Sequence, residues 1–175
     1  MTERPNALTQ QVADWLARFG AALERNDLAG AANLFADECY WRDLVAFTWN
    51  IKTLEGKDEI QAMLAATLAD ARPSAWQIDG EVTVENGVTA GWFTFETAAA
   101  RGKGYLRLKD GKCWTLLTTM TELKGFEEKK GPTRAAGVHH GLVKDRQTWL
   151  ERKTQEEAEL GYARQPYCVI IGGGQ

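Results

Sequence analysis

The sequence predicts an α+β domain, with N-terminal helices packed on one face of an antiparallel sheet. Three observations point to that class. Up to Pro73 the apolar residues recur mostly at three- and four-residue steps, whereas beyond it the period falls to two. The second half carries the hairpin signals Asn86-Gly87 and Asp110-Gly111. Helices first and a strand meander last is the element order of an α+β fold.

The first expected helix covers residues 8–25, where Leu8, Val12, Trp15, Leu16, Phe19 and Leu23 make one apolar stripe. Asn26-Asp27 interrupts it, and Asp27 is placed to N-cap a shorter helix through "LAGAANLFA". The stretch "ECYWRDLVAFTWNIKTLEG" is aromatic and β-branched and reads as one or two strands. A third helix is expected over 57–71, with Gly56 as N-cap and Glu59 at N3, ended by Pro73. Ile60, Met63, Leu64, Thr67 and Leu68 share its face. Then come "SAWQIDGEVTVE", "GVTAGWFTFETAA", "GKGYLRLKD" and "KCWTLLTTMTEL", three or four strands separated at Asn86-Gly87, Arg101-Gly102 and Asp110-Gly111.

From Lys124 the composition shifts to the charged, glycine-containing "KGFEEKKGPTRAAGVHHG", which reads as an extended linker. Residues 144–161 are helical by propensity, with Asp145 as a possible N-cap and Gly161 as the stop. Arg152/Glu156 and Lys153/Glu157 lie one turn apart. Apart from Trp149, Leu150 and Leu160 this helix is polar all round, as one bridging two bodies would be. No internal repeat is evident.

With 175 residues, 44% of them hydrophobic and 26% charged, the chain suits one domain with a core and some residues to spare. A net charge of -3 without a Lys/Arg block argues against nucleic acid or an anionic membrane as partner. The N-terminus "MTERPNALTQQ" shows no apolar signal core, no stretch is long enough to span a bilayer, and a cytoplasmic protein is expected. Cys39, Cys113 and Cys168 are odd in number and far apart, which fits reduced thiols rather than a disulfide frame.

Seven tryptophans is the unusual count. Trp15, Trp41, Trp49, Trp76, Trp92 and Trp114 read first as core packing, and otherwise as the wall of an aromatic cavity. His139-His140 point apart as sequence neighbours and have no third ligand at a suitable spacing, so no metal is expected. No Ser or Cys has a candidate base in a proper motif, and Glu127–Lys130 reads as solvated surface.

The stretch from Ala22 to Asp37 has the form A-L-x-x-x-D-x-x-x-x-x-x-L-F-A-D. With the "G-K-D-E-I" helix start that follows, and with the element order over residues 8–125, it resembles the nuclear-transport-factor-2-like superfamily, which includes ketosteroid isomerases and SnoaL-like polyketide cyclases. The resemblance implies a cystatin-like cone of helices on a curved antiparallel sheet, with an apolar pocket inside. It sets Trp15, Phe19, Trp41, Leu106 and Trp114 as pocket-lining, a small apolar organic molecule as ligand, and homodimer pairing through the sheet. In the isomerase branch a carboxylate just after L-F-A-D removes a proton beside a ketone, while a tyrosine and a protonated aspartate hold the oxyanion. By position Asp43 matches the base, but Phe19 stands where the tyrosine would be and Gly104 where the aspartate would be. A lone carboxylate lacks what is usually the largest catalytic contribution. Asp43 therefore reads either as a general base or as a structural carboxylate, paired with Arg42 or Arg107 or facing solvent at the cone mouth.

The segment "YCVIIGGGQ" supplies an apolar strand and, in Gly172 and Gly174, the first two glycines of G-x-G-x-x-G. The pyrophosphate site also needs the following helix, so these glycines are not expected to bind a nucleotide by themselves. The segment reads as a hydrophobic tail or, better, as the opening of a further domain. The order "GPTRAAGVHHG", "RQTWLER", "QPYCVIIGGGQ" resembles the N-terminal extension of bacterial FAD- and NAD(P)-dependent oxidoreductases of the flavin-containing monooxygenase type. That implies a cone domain over 1–125, a linker over 126–165 and the start of an FAD-binding domain over 166–175. FAD and NAD(P)H belong to the implied parent, with its C-terminal flavin domain as partner. An independent isomerase, lyase or cyclase acting through Asp43 is the competing expectation.

Overall fold

The apolar stripe of the first segment winds into helix α1, Ala7–Glu24, which buries Val12, Trp15, Leu16, Phe19 and Leu23 on one face. This is a computed structural model that describes residues 7–134, 137 and 147–164. The chain divides into two units, Met1–Lys129 and Lys130–Gln175.

Asp27 caps helix α2, Leu28–Asn33, by accepting the Gly30 N–H at 2.8 Å. The helix is shorter than expected because Phe35 already enters a strand. Replacing Asp27 with alanine should cost about 1 kcal/mol, read as a shifted denaturation midpoint. Strand β1 is Phe35–Leu44 and strand β2 is Ile51–Glu55. Helix α3, Gly56–Ala71, buries Ile60, Met63, Leu64 and Leu68. Its N-cap is Glu55 rather than Gly56, yet Glu59 still reaches back to the N-cap, accepting the Glu55 N–H at 2.9 Å. Arg72, in the left-handed conformation, donates its N–H to Leu68 O at the other end, one residue before Pro73.

The expected strand "SAWQIDGEVTVE" is two strands, β3 (Ser74–Ile78) and β4 (Thr83–Glu85), both paired with β5 (Val88–Glu96). Gly80, at φ +90°, lies in the break between them. Strands β6 (Ala100–Lys109) and β7 (Lys112–Leu123) complete a sheet of order β2-β1-β7-β6-β5-β3, with β4 beside β5. Asn86-Gly87 and Asp110-Gly111 form tight turns with both residues at positive φ, the geometry that hairpin twist favours. Arg101-Gly102, expected as a break, lies inside β6, and the chain reverses instead where Thr97 N–H donates to Ala100 O at 2.8 Å. Gly102 is there because the Phe95 ring fills the space a Cβ would need. Every strand pair is antiparallel except β1 with β7, which run parallel.

The three helices cover the inner face of this sheet. Between them lies a continuous aromatic core of Trp15, Phe19, Phe35, Trp41, Phe93 and Phe95, with ring centroids 4.8–6.1 Å apart at successive contacts. Trp76 joins Phe19 to Phe93 and Phe95.

In the second unit Thr148 caps helix α4, Trp149–Glu159, and forms a reciprocal capping box with Glu151. The expected cap, Asp145, lies outside the described residues. Gly161, at φ +83°, follows the helix end as expected.

Candidate functional site

Strand alternation turns Trp41 and Asp43 of β1 to the same inner face, where both are fully buried. Parallel pairing sets Thr118 of β7 directly beside Asp43. The Trp41 Nε1–H donates to Thr118 Oγ1 at 2.8 Å, and Thr118 in turn donates to Asp43 Oδ1 at 2.8 Å. The other carboxylate oxygen, Oδ2, accepts the backbone N–H groups of Phe47 (3.0 Å) and Thr48 (2.8 Å). The Thr48 hydroxyl also lies 2.8 Å from Oδ2 and 2.9 Å from Asn50 O, so one proton serves both acceptors.

Asp43 thus organises the β1–β2 connection. Within it Val45 (φ 59°) and Trp49 (φ 53°) are left-handed, and Val45 N–H closes the loop on Asn50 O at 3.0 Å. For a β-branched residue that region is an outlier, and such conformations cost on the order of 1–3 kcal/mol each, held only where the surroundings over-determine them. Here the bonds to Oδ2 do so. The loop tips Phe47 inward, against Trp41 (5.1 Å between centroids) and Phe95 (5.9 Å), and leaves Trp49 63% exposed. Neither expected arginine pairs with the carboxylate. Arg42 donates to Thr53 Oγ1, and the Arg107 guanidinium sits 4.5 Å over the Trp114 ring. Asp43 does not face solvent either.

Neither Phe19 nor Gly104 brings an oxyanion donor to the carboxylate. Phe19 is fully buried, stacked on Trp15 and edge-on to Trp41, and has no hydroxyl. At Gly104 the Phe93 ring and Leu117 O occupy the place of any side chain. Trp15, Phe19, Trp41 and Leu106 are all in the interior and fully buried, so their surfaces are spent on packing. Trp114 is not with them, contrary to the expectation. Arg107 pairs with Thr115 and Leu108 with Cys113, so Trp114 is the extra residue of a β-bulge and comes out, half-buried, on the outer face beneath Arg107. Phe47, Thr48 and Thr118 escaped the sequence reading. A hydroxyl residue at an inward position of an apolar strand was the one signal for Thr118.

A groove of about 490 Å³ opens beside the loop, lined by Thr48, Asn50, Lys52 and Leu54 and, from α3, Glu59 and Met63. Among the described residues no cluster of His, Cys, Asp or Glu could hold a metal, and no helix is long and apolar enough to cross a membrane. His139, His140, Cys168, Gly172 and Gly174 lie outside the described residues. Cys39 and Cys113 are free thiols, and burial pushes both upward, Cys113 well above the usual range. Both should resist iodoacetamide in the native protein and react once it is unfolded, as mass spectrometry would show.

The architecture is shared with a solved structure. A domain of unknown function with a cystatin-like fold from Nostoc punctiforme superposes with a TM-score of 0.54 at 15% identity, over 67% of this chain and 80% of that one. An NTF2-like protein with a cystatin-like fold from Novosphingobium aromaticivorans gives 0.49 at 14% identity, over 63% and 80%. An NTF2-like protein of unknown function from Mesorhizobium loti gives 0.48 at 18%, over 69% and 99%. No curated protein sequence matches. Residues 16–116 match the SnoaL-like domain model, and the chain belongs to that family.

Proposed function

We propose that this SnoaL-like domain is a non-catalytic accessory module of a larger FAD- and NAD(P)H-dependent oxidoreductase of the flavin-containing monooxygenase type, and that it pairs with a second copy through its sheet. The observation that carries the first part is the state of Asp43. A carboxylate offers about four lone-pair sites. Three donors hold this one and a fourth shares its proton, all of them supplied by the protein itself. Phe19 and Gly104 add no donor for an oxyanion. Pairing is supported by the outer sheet face, where Thr53, Arg42, Leu117, Tyr105 and Trp92 stand in one cross-strand row and Trp92 is 42% exposed. The flavin parent is supported by the run Val169–Ile171 into Gly172 and Gly174, which reads as a strand and glycine turn. FAD and NAD(P)H would be held by that parent's flavin domain, which would also carry the redox chemistry.

Two measurements test the reading. Proton exchange of small ketones should run at the same background rate with the wild type and with Asp43→Asn. A wild-type rate that the substitution abolishes makes the domain an isomerase, lyase or cyclase working through Asp43. In sedimentation, Trp92→Glu combined with Leu117→Glu should halve the wild-type mass, and an unchanged mass removes the sheet face as the interface.

A further inference from the structure

We infer that the loop of residues 45–50 is a built-in ligand occupying a gated site, and that the site takes a single aromatic ring bearing a hydrogen-bond donor. This does not depend on how the sheet pairs or on what the domain is attached to. The benzyl group of Phe47 sits against Trp41 and Phe95 as a bound ring would, 3% exposed, in a core otherwise built from the three helices, the sheet and the small Ala46 of the same loop. The backbone N–H groups of Phe47 and Thr48 are the donors that such a ring would need beside Asp43 Oδ2. A phenol reproduces that pattern in one molecule, its ring in place of the benzyl group and its O–H donating to Oδ2. Asp43 Oδ1 would keep its bond from Thr118, so the wall of the site stays in place.

Three features make the loop a gate rather than a fixed wall. It is held at its centre by one carboxylate oxygen, and it carries left-handed Val45 and Trp49, whose conformations relax when it lifts. Trp49 at its tip is exposed and anchors it to no core contact. The 490 Å³ groove lies directly outside, floored by Leu54, which stands opposite Trp41 in the β1·β2 register. The groove can receive Phe47 as it withdraws and gives a ligand its way in. The open state is a minor one, so apparent affinity in the wild type is reduced by its fractional population.

The test uses p-cresol and toluene, which share a ring and differ by a hydroxyl, titrated into the full chain by calorimetry and followed at the Trp41 indole N–H by NMR. Phe47→Ala should bind p-cresol at least tenfold more tightly than the wild type, and p-cresol at least fivefold more tightly than toluene. Equal binding of the two overturns the role of Asp43 as acceptor. Absence of any gain for p-cresol in the folded variant overturns the site. Should Phe47→Ala fail to fold, Thr48→Val leaves every core side chain in place and decides the matter. It removes one bond to Oδ2, so it should raise p-cresol affinity several-fold and speed hydrogen exchange of the Phe47 amide by a similar factor. No change in either quantity overturns the gate.

Discussion

Replacing Asp43 with alanine should remove about 4 kcal/mol of stability, the largest loss expected from any single polar side chain in the domain. The change strands the buried Phe47 N–H and the Thr118 hydroxyl, and the half-buried Thr48 N–H with them. Each unsatisfied donor costs about 1–3 kcal/mol, and bonds to a charged acceptor sit at the upper end of their range. The loop then also loses what holds Val45 at positive φ. Asp43→Asn is the informative partner. Its amide oxygen can face the two loop N–H groups, and its NH₂ can donate to Thr118, whose hydroxyl has a second lone pair beside the one Trp41 uses. That variant should lose only about 1–2 kcal/mol. Urea denaturation of the three proteins gives the comparison, and equal losses for Ala and Asn would show that charge rather than donor geometry holds the loop.

Gly104→Ala should be nearly as damaging, at about 3 kcal/mol or more, although it adds one methyl group. The new Cβ would meet the Phe93 ring and, at 2.5 Å, the backbone oxygen of Leu117. A ring can turn away, but a carbonyl fixed in the β6·β7 ladder cannot without breaking it. In a Phe93→Ala background the cost of Gly104→Ala should therefore shrink without vanishing, a coupling that a double-mutant cycle reads directly. Full additivity would place the clash elsewhere. The same geometry bars an aspartate at this position, so the oxyanion acid of the isomerases cannot be restored by a point substitution.

Much of this fold is legible in local sequence, because helices and strands differ in period and the two Asx-Gly turns demand positive φ. What failed locally failed for reasons of contact. Arg101-Gly102 looked like a turn, but its glycine answers to the Phe95 ring across the β5·β6 pair. The resemblance set Trp114 inside the cone, and a bulge between Cys113 and Thr115 that local alternation does not reveal turned it out. At the site, Asp43 and Trp41 were found because both lie on β1. Their acceptor and donor Thr118 is 75 residues from Asp43, and Phe47 looked like one more aromatic of a strand. The residue types that define the chemistry were visible, whereas their partners depend on a register that no local pattern encodes.

That register bears on how the domain comes into being. On one side residues 40–44 pair with the nearby β2, but because β1 lies parallel to β7 their other neighbours come only at 115–119, on the last strand of the sheet in chain order. Closing so long a loop precedes any gain from the contacts it brings, which slows folding. During synthesis the N-terminal helices must wait, with Trp15, Phe19 and Trp41 unsheltered, until the ribosome has delivered β7. A chain ending before residue 115 would have the ingredients of the core and no means of closing it.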